Sequence, residues 1–90
     1  MSTEAYEIKF IKIREIQTRT QLARSTIYYH IKLGVLPNPI KLGGRASAWL
    51  EHEINQILAA RIAGYSDEAI ISLVQQLEKD RPSILPKFFH

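Results

Sequence analysis

The sequence contains no cysteine, and it has no apolar run that approaches the length of a membrane span. The first absence excludes disulfides and thiolate metal sites, and it is typical of a cytosolic protein. The second excludes a transmembrane helix, which needs about 20 consecutive apolar residues. The opening residues, MSTEAYE, are polar and acidic, unlike a signal peptide. We therefore expect one small cytoplasmic domain with no membrane partner.

Acidic residues are almost missing from one half of the chain. Between residues 8 and 45, Glu15 is the only acidic residue against eight basic ones, a net charge of +7. The rest of the chain has four basic and eight acidic residues, a net charge of −4. This asymmetry predicts a polyanionic partner, such as double-stranded DNA on the nucleoid, for the first half only. A solvated basic face without a partner is the alternative that charge alone leaves open.

Signatures of catalysis are missing as well. The three histidines, at positions 30, 52 and 90, are scattered. His52 and Glu53 resemble part of a zinc-protease motif, but position 56 is glutamine where the second histidine would lie. We interpret this pair as an exposed helix start and the paired glycines at 43–44 as a turn. We expect no enzymatic activity, no catalytic residue, no metal site and no cofactor.

Apolar spacing and capping signals predict a mainly α domain with a small β-hairpin wing and about four helices. The helices are expected over residues 13–19, 24–33 and 51–63, with a fourth from a Ser66 cap to the region of Pro82. Gly34 is expected to end the second helix. Alternating polarity predicts a short strand over residues 6–10.

The predicted wing has strands at 40–42 and 45–48 around a Gly43–Gly44 turn. Trp49, directly after it, is expected in the core. The third helix has a predicted apolar stripe of Leu50, Ile54, Ile57, Leu58 and Ile62. We expect the chain to divide into an arm or short strand (1–9), a domain that binds DNA (10–81) and an apolar tail (82–90). The tail residues from Ile84 to Phe89 either fold back over the domain or dock on another subunit or protein partner.

Residues suited to nucleic acid concentrate on the second helix and the hairpin. The first three residues of that helix are expected to face base edges in the major groove, and its tyrosines and lysine to contact phosphates. The basic residues of the hairpin are expected on the backbone or in the minor groove. The predicted DNA-binding residues are Arg14, Arg19, Arg24, Ser25, Thr26, Tyr28, Tyr29, Lys32, Lys41 and Arg45.

Three segments carry a family resemblance: FIKIREI at 10–16, RSTIY at 24–28, and PIKLGGR at 39–45 continuing to AWLE at 48–51. With AARIA at 59–63, the sequence resembles the AlpA family, small prophage-encoded DNA-binding regulators related to excisionases. The resemblance implies a MerR-like winged helix-turn-helix, with a recognition helix at 24–33 and a wing at 40–48. It also implies control of a phage, prophage or other mobile element.

The chain departs from the family pattern in places. Members usually have glycine in the interhelix turn where this chain has Gln21, and serine at the second helix's cap where it has Ala23. An unfilled cap weakens the helix by about 1 kcal/mol, unless Ser25 substitutes. MerR proteins dimerise through a long C-terminal helix, for which we expect no counterpart in this sequence. A homodimer or an assembly along DNA stays open, as do an architectural excision factor that bends DNA and a protein–protein adaptor acting through the tail.

Overall fold

Four helices and a three-stranded antiparallel sheet make up residues 7–89, the part of the chain that this computed structural model describes. The strand order is β1-β3-β2. The elements in chain order are β1 (Phe10–Ile11), α1 (Ile13–Thr20), α2 (Arg24–Leu33), β2 (Ile40–Gly43), β3 (Ala46–Leu50), α3 (Glu51–Ile62), α4 (Asp67–Asp80) and a C-terminal 3-10 segment (Arg81–Phe88). The predicted class, a winged helix-turn-helix with α1 and α2 as its helix pair and β2–β3 as its wing, is confirmed.

The helix pair is held together by isoleucines without solvent exposure, Ile16 on α1 and Ile27 on α2. Residues 21–23 join the helices. Gln21 has φ 62°, the left-handed conformation that glycine adopts without strain, so the family's glycine at this position has a structural reason. At the other end of α2, Gly34 (φ 86°) and the hydrogen bond from Val35 N–H to the His30 carbonyl form the predicted C-cap.

The sheet corrects the predicted N-terminal strand. It lies at Phe10–Ile11, not at 6–10, and Tyr6 is outside the described residues. Ile11 pairs with Trp49 and Phe10 with Leu50, the last residue of β3. Because α3 begins directly afterwards, β3 offers no partner for a longer strand, and Ile8 remains 44% exposed.

The wing turn also differs from the prediction. Gly43 pairs with Ala46, so Gly44 and Arg45 form the turn. The register shifts between Lys41 and Gly43, which moves the turn along the chain by one residue. Gly43 (φ 114°) and Gly44 (φ 54°) both adopt backbone conformations that favour glycine.

One core contains residues from all four helices and from two strands. Its buried members are Ile11, Ile16, Ile27, Val35, Leu36, Trp49, Ile54, Ile57, Ala60, Ile70, Val74 and Leu77. Ile62, predicted in the stripe of α3, is 88% exposed, because at about 100° per residue it lies roughly 140° around the helix from the buried Ile57. The rest of the predicted stripe is at least partly buried.

Glu53 was expected at an exposed helix start, yet it is only 1% exposed. Arg81 donates to both of its carboxylate oxygens, at 2.7 and 2.9 Å, and also to the Asn38 carbonyl at 2.7 Å. The Glu53 carboxylate raises the pKa of Arg81 above its ordinary value. The pair joins the C-terminal segment to α3 and to the loop before the wing.

The tail lies beside the sheet but covers it incompletely. Ile84, Leu85 and Phe88 line an apolar groove of about 280 Å³ together with Ile8 and Phe10. Leu85 is still 60% exposed.

Across residues 7–89, the helices are all too short or too polar to span a bilayer.

Candidate nucleic-acid interface

The outward face of α2 contains most of the predicted reading residues. At about 100° per residue, five of them fall within an arc of roughly 140°. These five are Arg24, Ser25, Tyr28, Tyr29 and Lys32, all of them exposed. Thr26 lies outside this arc and is half-buried. Ile27 on the opposite face is fully buried, so α2 is anchored behind the surface that it presents.

The N-terminus of α2 is uncapped. Ala23 is the N-cap residue, and no side chain among residues 7–89 accepts a hydrogen bond there, so Ser25 does not replace the missing cap. The first turn of α2 contains no acidic residue. Free N–H groups and the positive end of the helix dipole therefore remain at Arg24 and its neighbours, an arrangement that favours a phosphate or another anion.

Arg24, Tyr28 and Trp49 form a connected row. The Arg24 guanidinium carbon lies 5.6 Å from the centroid of the Tyr28 ring. The Tyr28 and Trp49 ring centroids are 6.4 Å apart, with an interplanar angle of 58°. Trp49 is 2% exposed, and its Nε1–H donates to the Pro37 carbonyl at 3.0 Å. The row connects the buried face of the wing to the start of α2.

Most of the predicted basic residues are not neutralised by the protein itself. Within residues 7–89, five of them have no carboxylate partner: Arg14, Arg24, Lys32, Lys41 and Arg45. All five are exposed. Arg45 lies in the wing turn and Lys41 on β2, whereas Arg14 lines a shallow cleft along β1 and α1 together with Lys9 and Lys12.

Arg19 differs from the other predicted DNA contacts. Its guanidinium donates to Glu15 at 2.9 Å, to Glu51 at 2.7 Å and to Asn55 at 3.0 Å. The bonded carboxylates, Glu51 first and then Glu15, raise the pKa of Arg19, and Arg19 in turn lowers the pKa of Glu51. Arg19 thus joins α1 to α3, and its predicted DNA contact stays a prediction. The i,i+4 spacing of Glu15 and Arg19 was a sequence signal for part of this network.

The comparisons with known proteins identify the family. The family model described as "Prophage CP4-57 regulatory protein (AlpA)" matches residues 9–62. The chain belongs to the AlpA family. The match covers β1 to α3 and therefore includes the helix-turn-helix and the wing, whereas α4 and the tail lie outside it. AlpA is a regulatory family of prophage origin.

One curated relative comes from a phage. The uncharacterized protein ORF88 of Enterobacteria phage P4 is 41% identical over 56 residues, which are 62% of this chain and 64% of that protein. The chain therefore matches less than two thirds of the relative's length. No solved structure matches the chain significantly.

Proposed function

We propose that this AlpA-family protein is a sequence-specific, DNA-binding transcriptional regulator of a phage, a prophage or another mobile element. In this proposal α2 lies in the major groove, and the wing contacts the backbone or the minor groove. The observation that carries the proposal is the outward face of α2, where Arg24 and Lys32 have no carboxylate partner within residues 7–89.

The residues fall into two roles in this proposal. Arg24 and Ser25, at the start of α2, read base edges, since arginine can bind guanine through two hydrogen bonds. Tyr29 and Lys32 on α2, together with Lys41 and Arg45 on the wing, contact phosphates. Phosphate contacts position the protein without specifying sequence. In this proposal Arg19 serves the scaffold, because three of its five guanidinium N–H groups are bonded to Glu15, Glu51 and Asn55.

The unfilled cap of α2 supports the same placement. A carboxylate or hydroxyl cap would occupy the N–H groups that a DNA phosphate needs. In this chain Ala23 leaves those groups free, and the first turn adds no negative charge. A helix dipole directed at the backbone would then add to the contacts of the basic side chains.

Selection from a random duplex pool tests the proposal. The full-length protein should enrich one sequence, and Arg24→Ala should lose the preference for at least one base pair of that site. Lys79→Ala is the charge-matched control, because Lys79 lies on α4, outside the family match, and is exposed. An unenriched pool, or an Arg24→Ala variant that selects the wild-type site unchanged, would contradict the proposal.

The same selected duplex distinguishes the two DNA-binding roles. A regulator should alter transcription from a promoter that carries the site. An architectural excision factor should occupy several adjacent sites cooperatively and bend the DNA, which a circular-permutation mobility assay would measure.

The exposed tail favours a second candidate function, that of an adaptor for another protein. Leu85 is 60% and Phe89 67% exposed, although both are apolar. A Leu85→Ser/Phe89→Ser variant should retain DNA affinity if the tail serves only a protein partner. A loss of DNA affinity in this variant, with the fold intact, would assign the tail to DNA binding or to assembly on it.

A further inference from the structure

The Tyr28 ring contacts two other side chains, a cation and an aromatic ring. Its ring lies between Arg24, one helical turn earlier on α2, and Trp49 of the wing. Tyr28 is 43% exposed, so one side of the residue faces solvent while the ring also contacts the buried indole. Tyr29 is 58% exposed and, within residues 7–89, has no ring contact with another aromatic or cationic side chain.

The support behind Tyr28 is rigid. Trp49 is 2% exposed, is hydrogen-bonded through its indole N–H to Pro37, and pairs with Ile11 in the sheet. A side chain in this environment has little rotamer freedom. A ring packed against Trp49 is restrained relative to α2, and the ring in turn favours one position for a cation above it.

Arg24 keeps its hydrogen-bonding capacity in this arrangement. Within residues 7–89 its guanidinium has no carboxylate partner and no hydrogen-bond acceptor, and the Tyr28 ring is its only charge-stabilising contact. A ring beneath a guanidinium leaves its N–H donors free to bond elsewhere. An exposed arginine without such support samples many rotamers, and ordering it on binding costs free energy.

We propose that Tyr28 is a positioning residue, which holds Arg24 over its ring so that the guanidinium meets a guanine edge in the major groove. The inference rests on the proposed function and deepens it, since it specifies a guanine opposite the start of α2. It also replaces the predicted phosphate contact of Tyr28 by a contact made through the ring. The hydroxyl is then dispensable, whereas the aromatic face is required.

Two substitutions at one position separate these roles. Tyr28→Phe keeps the ring and removes the hydroxyl, and Tyr28→Leu removes the ring. Tyr29→Phe and Tyr29→Leu are the matched pair at the neighbouring tyrosine that lacks ring contacts. Affinities are measured for the selected duplex and for duplexes in which each guanine is replaced in turn by 7-deazaguanine, which lacks the N7 acceptor. The guanine whose replacement affects wild type but not Arg24→Ala is the one that Arg24 contacts.

We expect Tyr28→Phe to bind as wild type does. Tyr28→Leu should lose about 2- to 5-fold in its preference for that one guanine, the range expected for an exposed cation–ring contact. When Arg24 is already replaced by alanine, Tyr28→Leu should have no further effect on the preference for that guanine. A uniform loss across all sequences in Tyr28→Phe would overturn the inference in favour of a phosphate contact. An unchanged preference in Tyr28→Leu would also overturn it, while the proposed function stood.

A second measurement needs no DNA and remains informative if Tyr28→Leu folds poorly. NMR relaxation of the arginine Nε–H groups reports side-chain order in the free protein. In wild type and in Tyr28→Phe, Arg24 should be more ordered than Arg45, which has no ring contact within residues 7–89. Equal disorder of the two side chains in wild type would overturn the inference. If wild type selects no DNA sequence, the proposed function itself fails, whatever the order of Arg24.

Discussion

Arg81 donates two hydrogen bonds, of 2.7 and 2.9 Å, to the carboxylate of Glu53, a residue that is 1% exposed. The two residues are 28 positions apart, on the C-terminal segment and on α3. Burying a carboxylate without a partner would cost free energy, and Arg81 supplies the hydrogen bonds that compensate for this cost. In residues 7–89 no buried side-chain polar atom lacks a partner.

Removing this arginine should therefore destabilise the fold strongly. We expect Arg81→Ala to lower the free energy of unfolding by about 3 kcal/mol, because an unpaired carboxylate would remain buried. The control is Arg61→Ala, whose exposed pair with Asp67 contributes about 0–1 kcal/mol. Urea unfolding followed by circular dichroism measures both. Similar losses in the two variants would contradict the structural role of Arg81.

The strained turn between α1 and α2 offers a stabilising change. Gln21 has φ 62°, and Gln21→Gly should raise the free energy of unfolding by about 0.5–1 kcal/mol. The lost hydrogen bond from Gln21 Nε2 to the Thr18 carbonyl offsets part of the gain. Gln21→Ala, which loses that bond and keeps the backbone strain, is the control. Thermal unfolding should rank glycine above wild type and alanine below it.

The uncapped start of α2 provides a pair of variants that separates stability from DNA binding. Ala23→Ser and Ala23→Asp should each stabilise α2 by about 1 kcal/mol, because both side chains can cap the free N–H groups. Only the aspartate adds a negative charge where a phosphate is proposed to lie. It should weaken DNA binding more than the serine does. Equal affinities of the two variants at low salt would place the phosphate away from this terminus.

Lowering the pH should remove the stabilising ion pair between Arg19 and Glu51, because it protonates the Glu51 carboxylate. Arg19 lowers the pKa of Glu51, so the folded carboxylate holds its charge to lower pH than the unfolded one. Its stabilising contribution is present above the ordinary value of about 4.5 and is lost as the pH falls through the folded pKa. Arg19→Gln should flatten the stability profile in this range. An identical acid dependence in both proteins would contradict the contact.

Local signals in the sequence were sufficient for the helices. The bounds of α2 match the prediction of 24–33, because Gly34 and the prolines after it end a helix whatever packs on it. Ser66 starts α4 as predicted, with its side chain accepting from the Ala69 N–H at 3.2 Å.

Contacts between distant residues could not be predicted in this way. The i,i+4 spacing of Glu15 and Arg19 could have indicated their pair, but Glu51 is 32 residues from Arg19 and joins it only once α1 packs near α3. The exposure of Ile62 also depends on tertiary packing. Periodicity predicts which residues share an apolar face of α3, but it does not show how much of that face another element covers. The wing turn depended on the register shift in β2, which the paired glycines did not reveal.

The central claim, that the surface formed by α2 and the wing binds DNA in a sequence-specific way, is tested most directly by affinity across a salt series. The full-length protein should be measured on its selected duplex and on a scrambled duplex. With roughly six phosphate contacts, log affinity should fall linearly with log salt at a slope near −5 on the selected duplex. The selected duplex should remain the tighter one throughout. A flat salt dependence, with equal affinity for both duplexes, would contradict the account.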